Sequence, residues 1–272
     1  MGHRSTMARS KGPTSLRRAI VTGAASGLGK AVAEALRDQG VSVIGADLRT
    51  TRIEGDVVAD LTQPSGMQKV VDATESWGAV IHVAGLAADA DPAAILRVNL
   101  VAPIALTKAL QKKARPNACV IAIASVAANI TDMNDRVLDA AMKLDPDGVA
   151  AFVNEHQLDS RDCYRLSKKA LVEWCRRGPL AADGIRYNAI SPGPINTALW
   201  DRAQAASPQV ARGLVELVPH VPSPEEIAPA IAAFAGPAFA WVNGTNLPLD
   251  GGLAVLLAHR AETEKVNNND GA

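Results

Sequence analysis

Short runs rich in Val, Ile and Ala recur along the chain between stretches whose apolar residues return every three or four positions. The runs predict strands and the periodic stretches predict helices. Unbroken apolar strands separated by helices are typical of a parallel sheet covered on both faces. The sequence therefore predicts a single doubly wound α/β domain with a seven-stranded parallel sheet, its strands at residues 19–22, 41–47, 56–61, 79–85, 119–125, 185–191 and 245–250.

Two segments interrupt this alternation. Residues 126–163 are charged and weakly periodic, which predicts a helical insertion, and residues 192–222 contain five prolines and predict an irregular stretch. No linker divides the chain, so we expect one domain over residues 15–260. Residues 1–14 resemble an expression tag and predict a disordered N-terminus, and residues 261–272, with three consecutive asparagines, predict a disordered tail.

Charge and composition exclude several function classes. The chain has 28 Lys and Arg against 28 Asp and Glu, so nothing favours binding to nucleic acid or to an anionic membrane surface. No apolar run is expected to reach the roughly 20 residues of a membrane span. The cysteines Cys119, Cys163 and Cys175 lack metal-ligand or disulfide spacing, which predicts no metal site and a protein of the reducing cytoplasm.

A glycine-rich turn follows the first predicted strand and precedes a helix. It reads Thr-Gly-Ala-Ala-Ser-Gly-Leu-Gly over residues 22–29. Such glycines let the backbone approach a pyrophosphate, and the helix N-terminus supplies free N–H groups. An ATPase phosphate loop fits poorly, because the spacing has one residue too many and Ala31 stands where a magnesium-binding hydroxyl is needed. A purely structural turn is the other alternative. We interpret the segment as a Rossmann dinucleotide site.

The end of the second predicted strand indicates which dinucleotide is bound. Asp47 lies 18 positions after Gly29, where a carboxylate can accept both adenosine ribose hydroxyls and would repel a 2′-phosphate. This favours NAD over NADP. Arg49 argues the other way, because a nearby guanidinium can accommodate a phosphate, and Asp47 as an ordinary turn residue stays an alternative.

Tyr164 and Lys168 are four residues apart on a predicted helix and therefore share a face. An ammonium about 4 Å from a phenol is worth roughly 4 kcal/mol at an effective dielectric of about 20, which would lower the tyrosine pKa by up to about three units. Tyr164 would then serve as an acid/base near neutral pH. Taken alone, this spacing is more often a solvated helix face.

Together these motifs resemble the short-chain dehydrogenase/reductase family over residues 18–252. The resemblance implies that Tyr164 is the general acid/base, that Ser125 holds the substrate oxygen, and that Lys168 binds the nicotinamide ribose. It implies further that Asn99 holds a water in a proton relay. Taken singly, Ser125 could cap a strand end and Asn99 could satisfy backbone groups.

The resemblance also implies a set of cofactor-binding positions. The backbone at Ile195 and the hydroxyl of Thr197 would hold the nicotinamide carboxamide, and Asp60 would contact the adenine amino group. The family's Asn-Asn-Ala-Gly segment is here His-Val-Ala-Gly, and His82 is interpreted as a core histidine. The implied cofactor-binding residues are Gly23, Ser26, Gly27, Leu28, Gly29, Asp47, Asp60, Leu61, Ala84, Gly85, Tyr164, Lys168, Pro192, Gly193, Ile195 and Thr197.

Ser125 and Tyr164 are 164 − 125 = 39 positions apart, against the dozen or so usual in the family. A comparable insertion and a variant His-Val-Ala-Gly segment make the chain similar to the bacterial 3α-hydroxysteroid dehydrogenase/carbonyl reductase branch. In that branch the insertion alters subunit packing. Residues 137–144 and 149–158 could form two amphipathic helices that do the same. A solvent-exposed excursion with no role is the alternative.

A substrate lid is expected between residues 198 and 221, where Leu199, Trp200, Leu214 and Leu217 suit a hydrophobic alcohol or ketone. The resulting hypothesis is an NAD-dependent enzyme that interconverts a secondary alcohol and a ketone, with a steroid as leading candidate, working as a homodimer or homotetramer. A reductase of another carbonyl, such as a 3-oxoacyl thioester or a terpenoid ketone, is one alternative. A non-catalytic NAD-binding regulator is the other.

Overall fold

The computed structural model describes residues 16–129, 133–178 and 184–269. Within these ranges seven strands form one sheet, in the order β3-β2-β1-β4-β5-β6-β7, and all neighbours pair in parallel. The predicted single doubly wound domain is confirmed. The strands are β1 (Arg18–Thr22), β2 (Ser42–Asp47), β3 (Val57–Val58), β4 (Trp77–His82), β5 (Ala114–Ile123), β6 (Arg186–Pro192) and β7 (Asn246–Leu249).

Helices connect the strands and cover both faces of the sheet. Between α3 and α4 the helix widens into a π-helical turn at Arg97–Val101, and short 3₁₀ turns follow α4 (Gln111–Lys113) and β5 (Val126–Ala128). The α-helices are α1 (Gly27–Asp38), α2 (Pro64–Ala73), α3 (Pro92–Leu96), α4 (Ala102–Leu110), α5 (Asp135–Ala141), α6 (Val149–Glu155), α7 (Ser160–Arg177), α8 (Ala198–Ala206), α9 (Pro208–Val215), α10 (Pro224–Ala235) and α11 (Leu253–Asn269).

Two hydrophobic cores lie on opposite faces of the sheet. On one face α1 packs beside α10, and Leu28, Val32 and Leu36 bury a stripe repeated every fourth residue. On the other face α2, α4 and α7 bury residues such as Leu106 and Leu171. Because both faces are covered, the carboxyl-terminal edge of the sheet is where a ligand can reach the strands.

The predicted insertion before Tyr164 is helical, as expected. It contains α5 and α6, which bury Leu138, Phe152 and Val153 in the core on the α7 side, with α5 packing on α7 and α6 on α3. Its last four residues, 160–163, belong to α7 itself. The two short helices therefore thicken the layer that carries the candidate acid/base.

Two predictions about secondary structure are wrong. Residues 192–222 are not irregular, because α8 and α9 lie within them, and Pro208 starts α9 at a first-turn position where a missing N–H is harmless. The tail predicted as disordered from residue 261 continues α11 as far as Asn269, in keeping with its Ala, Glu and Lys residues, which favour helix. Residues 1–14 and 270–272 lie outside the described part of the chain.

The helical stretch Pro92–Lys113 has the length and the apolar composition of a membrane-spanning helix. This contradicts the expectation that no apolar run reaches that length. In the fold it comprises α3, the π turn and α4, and 56% of its most apolar window is buried. Leu96, Leu100 and Leu106 are fully enclosed in the core beside the sheet. The packing accounts for the hydrophobicity of this stretch.

Candidate active site

One cleft of about 720 Å³ opens at the carboxyl-terminal edge of the sheet. It includes the junction of β1 and β4, the point at which the strand order changes direction, where doubly wound folds bind ligands. Of the catalytic and cofactor-binding residues proposed from the sequence, Asn99 alone does not line this cleft, and of the four proposed lid residues Leu217 does not. The catalytic and cofactor-binding residues that line the cleft are Gly23, Ser26, Gly27, Leu28, Gly29, Asp47, Asp60, Leu61, Ala84, Gly85, Ser125, Tyr164, Lys168, Pro192, Gly193, Ile195 and Thr197.

The glycine loop is shaped by two close approaches of backbone to backbone. Gly23 has a φ of +72°, and a Cβ there would lie 2.9 Å from the backbone nitrogen of Ala84. A Cβ at Gly29 would overlap the carbonyl oxygen of Gly23. Ser26 is the N-cap of α1 and makes no side-chain capping bond, so the first-turn N–H groups keep their capacity to bind an anion.

The adenosine end of the cleft carries both signs of charge. Asp47 accepts hydrogen bonds from the backbone N–H groups of Ala25, at 3.0 Å, and Arg49, at 2.9 Å. The guanidinium of Arg49 donates to the Ser26 hydroxyl at 2.7 Å. A carboxylate and a guanidinium therefore both lie beside the glycine loop. Farther along, Asp60 accepts from both the N–H and the hydroxyl of Thr62.

His82 is a core residue, as interpreted from the sequence. It is 3% exposed, and its Nε2 lies 2.8 Å from the Thr107 hydroxyl. Burial lowers the pKa of His82 to about 3, because a charged imidazolium would lose its hydration there. The ring is therefore neutral at physiological pH and supports the loop at the end of β4.

Thr22 is a structural contributor to the cleft that the sequence reasoning missed. Its hydroxyl accepts from the N–H groups of Val83, at 3.0 Å, and Ala84, at 3.1 Å. These bonds hold the loop after β4 against the glycine loop where the family's asparagine is replaced. The position of Thr22 directly before Gly23 was the available signal.

Ser125 and Tyr164 meet at the floor of the cleft. Ser125 follows β5 and caps the 3₁₀ turn, its hydroxyl accepting from the N–H of Ala127 at 3.2 Å. Tyr164 projects from the first turns of α7 into the same cleft, and the Ser125 hydroxyl acts to lower its pKa. Two hydroxyls are thus placed side by side where a substrate oxygen could contact both.

The Lys168 ammonium is not directed at the Tyr164 hydroxyl, contrary to the prediction. Its ammonium donates to the carbonyl of Ile123 at 2.9 Å and lies 5.8 Å from the centre of the Tyr164 ring. Burial raises the pKa of Tyr164, and the Ser125 hydroxyl opposes that rise only in part. The predicted lowering of the Tyr164 pKa by Lys168 is therefore wrong for the protein alone. Burial also lowers the pKa of Lys168 to about 8.

Asn99 lies behind the cleft, in the π turn between α3 and α4. Its side-chain oxygen accepts from the N–H of Leu86 at 2.7 Å, and its Nδ2 donates to the Leu86 carbonyl at 3.0 Å and to the Ser167 hydroxyl at 3.4 Å. Asn99 is 1% exposed, so these buried hydrogen bonds fix the loop after β4. The extra residue of a π turn is typical of functional sites.

The lid predicted at residues 198–221 is built from α8 and α9. Thr197 caps α8 by accepting from the N–H of Trp200 at 3.2 Å. Two arginine contacts join the lid to the rest of the molecule. Arg202 forms a bidentate pair with Asp89, at 2.8 and 2.9 Å, and Arg161 donates to the Ser207 hydroxyl at 2.9 Å.

The sequence reasoning also missed these arginines. Arg161, Arg165 and Arg202 all line the cleft. The first two stand four residues apart on either side of Tyr164, and that spacing was the available signal. No group of three or more His, Cys, Asp or Glu side chains in the described ranges could hold a metal ion.

Comparisons with known proteins agree with this geometry. The family model described as NAD dependent epimerase/dehydratase family matches residues 19–177, and the model described as Enoyl-(Acyl carrier protein) reductase matches residues 148–254. Coniferyl-alcohol dehydrogenase of a Pseudomonas species is 27% identical over 258 residues, which cover 86% of this chain and 95% of that one. The 3-alpha-hydroxysteroid dehydrogenase/carbonyl reductase of Comamonas testosteroni is 26% identical, covering 88% and 96%.

A solved structure is similar over nearly the whole fold. It is the 3-alpha-hydroxysteroid dehydrogenase from Pseudomonas sp. B-0831 complexed with NADH, with a TM-score of 0.76 and 27% identity over 88% of this chain and 98% of that one. This chain belongs to the short-chain dehydrogenase/reductase family, whose members are NAD(P)-dependent oxidoreductases.

Proposed function

We propose that this protein interconverts a secondary alcohol and a ketone, with Tyr164 as the proton-transfer group and NAD as the preferred cofactor. The observation that carries the proposal is the placement of Tyr164 and Ser125 in one cleft that continues to the glycine loop, with the Ser125 hydroxyl close enough to lower the Tyr164 pKa. A proton donor and a second oxygen-binding group are thereby positioned on one substrate oxygen.

The residues present fit a dinucleotide on structural grounds. The backbone approaches at Gly23 and Gly29 leave no room for a Cβ, and the uncapped start of α1 offers N–H groups for a pyrophosphate. A Cβ at Gly85 would lie 3.7 Å from the Lys168 ammonium, so this glycine leaves room beside the lysine. When bound, the nicotinamide ring supplies or accepts the hydride.

The chain's own residues would handle the proton. During oxidation Tyr164 accepts the proton of the substrate hydroxyl while the Ser125 hydroxyl donates to the substrate oxygen and holds it in place. Lys168 would turn from the Ile123 carbonyl toward a ribose hydroxyl of the cofactor, where its positive charge favours the ionised tyrosine. Because burial raises the Tyr164 pKa, we expect oxidation to accelerate as pH increases and reduction to favour lower pH.

The preference for NAD rests on Asp47. Its carboxylate lines the cleft beside the glycine loop and would repel a 2′-phosphate. Arg49 is held by the Ser26 hydroxyl and could instead attract that phosphate. Because the Asp47 carboxylate would repel the 2′-phosphate, we expect kcat/KM to be higher with NADH than with NADPH. Asp47→Asn removes this charge and should reduce the ratio of the two kcat/KM values. A parent enzyme that prefers NADPH would contradict this part of the proposal.

The substrate we propose is a hydrophobic alcohol or ketone, with 3α-hydroxysteroids first. The steroid dehydrogenase relatives and the apolar lid residues Leu199, Trp200 and Leu214 support this choice. Aromatic alcohols are a second candidate, favoured by the similarity to coniferyl-alcohol dehydrogenase. We further propose that the protein is cytoplasmic and forms a homo-oligomer. The fully exposed Trp241 is a candidate contact between subunits. Light scattering tests the oligomeric state.

The test follows NADH and NADPH absorbance with steroid, aromatic, terpenoid and 3-oxoacyl thioester substrates. Tyr164→Phe should lose nearly all turnover and retain NADH binding, measured by fluorescence. Tyr187→Phe is the matched control, because it removes the other tyrosine hydroxyl of the chain, which does not line the cleft. Undiminished turnover in Tyr164→Phe would overturn the mechanism, and NADH binding without turnover of any substrate would support the regulator.

A further inference from the structure

The substrate end of the cleft has an excess of positive charge that the proposed chemistry does not use. Arg161, Arg165 and Arg202 line it together with one carboxylate, Asp89. At the adenosine end the lining charges are Asp47, Asp60 and Arg49, so the positive excess is confined to the substrate half.

Among the described residues, one of the three arginines is paired with a carboxylate. Arg202 forms the bidentate pair with Asp89. Arg161 donates to the neutral hydroxyl of Ser207, and neither Arg161 nor Arg165 lies within ion-pair distance of a carboxylate in the part of the chain that the structure describes. Asp159 interacts with Arg161 electrostatically, but it caps α7 and does not line the cleft.

Arg161 and Arg165 lie on the same helix as the candidate acid/base and line the same cleft. Arg161 precedes Tyr164 by three residues on α7, about 4.5 Å along the helix axis, and Arg165 follows it directly. Opposite them the lid contributes apolar side chains, among them Trp200 and Leu214. A ligand between α7 and the lid would therefore contact an apolar wall and a positively charged wall at once.

We propose that the enzyme selects an alcohol or ketone with an apolar body and a carboxylate group, held by Arg165 with Arg161. A guanidinium can bind a carboxylate through two parallel hydrogen bonds, which gives orientation as well as affinity. This inference rests on the proposed function, since it names the substrate class of that same cleft.

A matched set of three ketones isolates the charge. The set is 4-acetylbenzoate, its methyl ester and the 4-acetylphenyltrimethylammonium ion, which share a ring and a reacting carbonyl and differ in charge. Binding to the NADH complex of the Tyr164→Phe variant, which should not turn the ketones over, is measured first, by calorimetry, and turnover by the parent enzyme second. Each arginine substitution below is made in this variant for binding and in the parent for turnover. We expect the anion to bind at least about tenfold more tightly than the ester and the cation most weakly, and 0.5 M salt to narrow the difference.

Variants assign the selectivity to residues. Arg165→Ala should reduce the preference for anion over ester about tenfold, and Arg165→Glu should reverse it. Arg176→Ala is the matched control, because Arg176 is an exposed arginine of the same helix outside the cleft, and its loss changes the net charge equally. The preference should persist in this control.

The outcomes separate this inference from the proposed function. Equal binding of the anion and the ester, or a preference that survives the Arg161→Ala/Arg165→Ala double variant, overturns the carboxylate inference while turnover of neutral ketones can still stand. Charge-selective binding without turnover of any ketone leaves the carboxylate site in place and overturns the proposed reaction. Absence of binding by all three ketones overturns the inference.

Discussion

Replacing Lys168 by methionine should make the cofactor-free protein more stable at pH 7 while it abolishes turnover. Lys168 is 6% exposed, and its single described hydrogen bond goes to the carbonyl of Ile123. An ammonium in that position has lost most of its hydration and faces no carboxylate in the described structure. Methionine has a similar length and carries no charge.

The magnitude follows from the lysine pKa. Burial lowers it from 10.5 to about 8, and this difference corresponds to about 3 kcal/mol of unfavourable free energy while the lysine is charged. Lys168→Met also removes the hydrogen bond to Ile123, which offsets about 1 kcal/mol of the stability gained by removing the buried charge. At pH 7 the variant should therefore be about 2 kcal/mol more stable than the parent.

The sign of the pH dependence is also fixed. Between pH 8 and 10.5 the unfolded chain binds the lysine proton and the folded protein does not, so this group makes the parent more stable as pH rises. The advantage of Lys168→Met should shrink across that window and vanish toward its upper end.

Urea denaturation of both proteins at pH 7, 8.5 and 10, without cofactor, measures these differences. Lys169→Met is the matched control, because it removes one positive charge from the next, partly exposed position of the same helix. A Lys168→Met variant that is less stable than the parent at pH 7 would refute the reasoning. A stability difference that stays constant from pH 7 to 10 would refute it as well.

Three further predictions concern the cleft. Gly29→Ala should abolish NADH binding and lower the unfolding midpoint, because its Cβ would overlap a backbone carbonyl, whereas Gly213→Ala, in a helix with open space around the Cβ, should leave the midpoint the same or higher. Asn99→Ala should cost about 2–4 kcal/mol in urea denaturation, because it leaves two backbone groups of the loop after β4 without partners; a cost under 0.5 kcal/mol would contradict this role. Arg202→Ala should raise KM more than it lowers kcat, because it removes the bidentate contact between the lid and Asp89. Unchanged KM and kcat in steady-state kinetics would contradict this prediction.

Much of the site could be predicted because its signals are local. The glycine loop, Asp47 and the Tyr164–Lys168 spacing each depend on residues close in sequence, and the cleft contains all of them. Asn99 was singled out from the sequence, but its partner Leu86 could not be foreseen. That pairing depends on the π turn, which no periodicity in the sequence indicates.

The sequence by itself determined the sheet, the order of strands and helices, and the dinucleotide loop, because hydrophobic period and glycine conformation act over a few residues. Only the tertiary structure decided the direction of the Lys168 ammonium, which follows from the burial around it and the Ile123 carbonyl. Only it brought Arg202 of the lid to Asp89 and left Arg165 without a carboxylate partner among the described residues. Such contacts join segments that are distant in sequence. Which charged side chains find a partner is therefore decided only when these segments pack together.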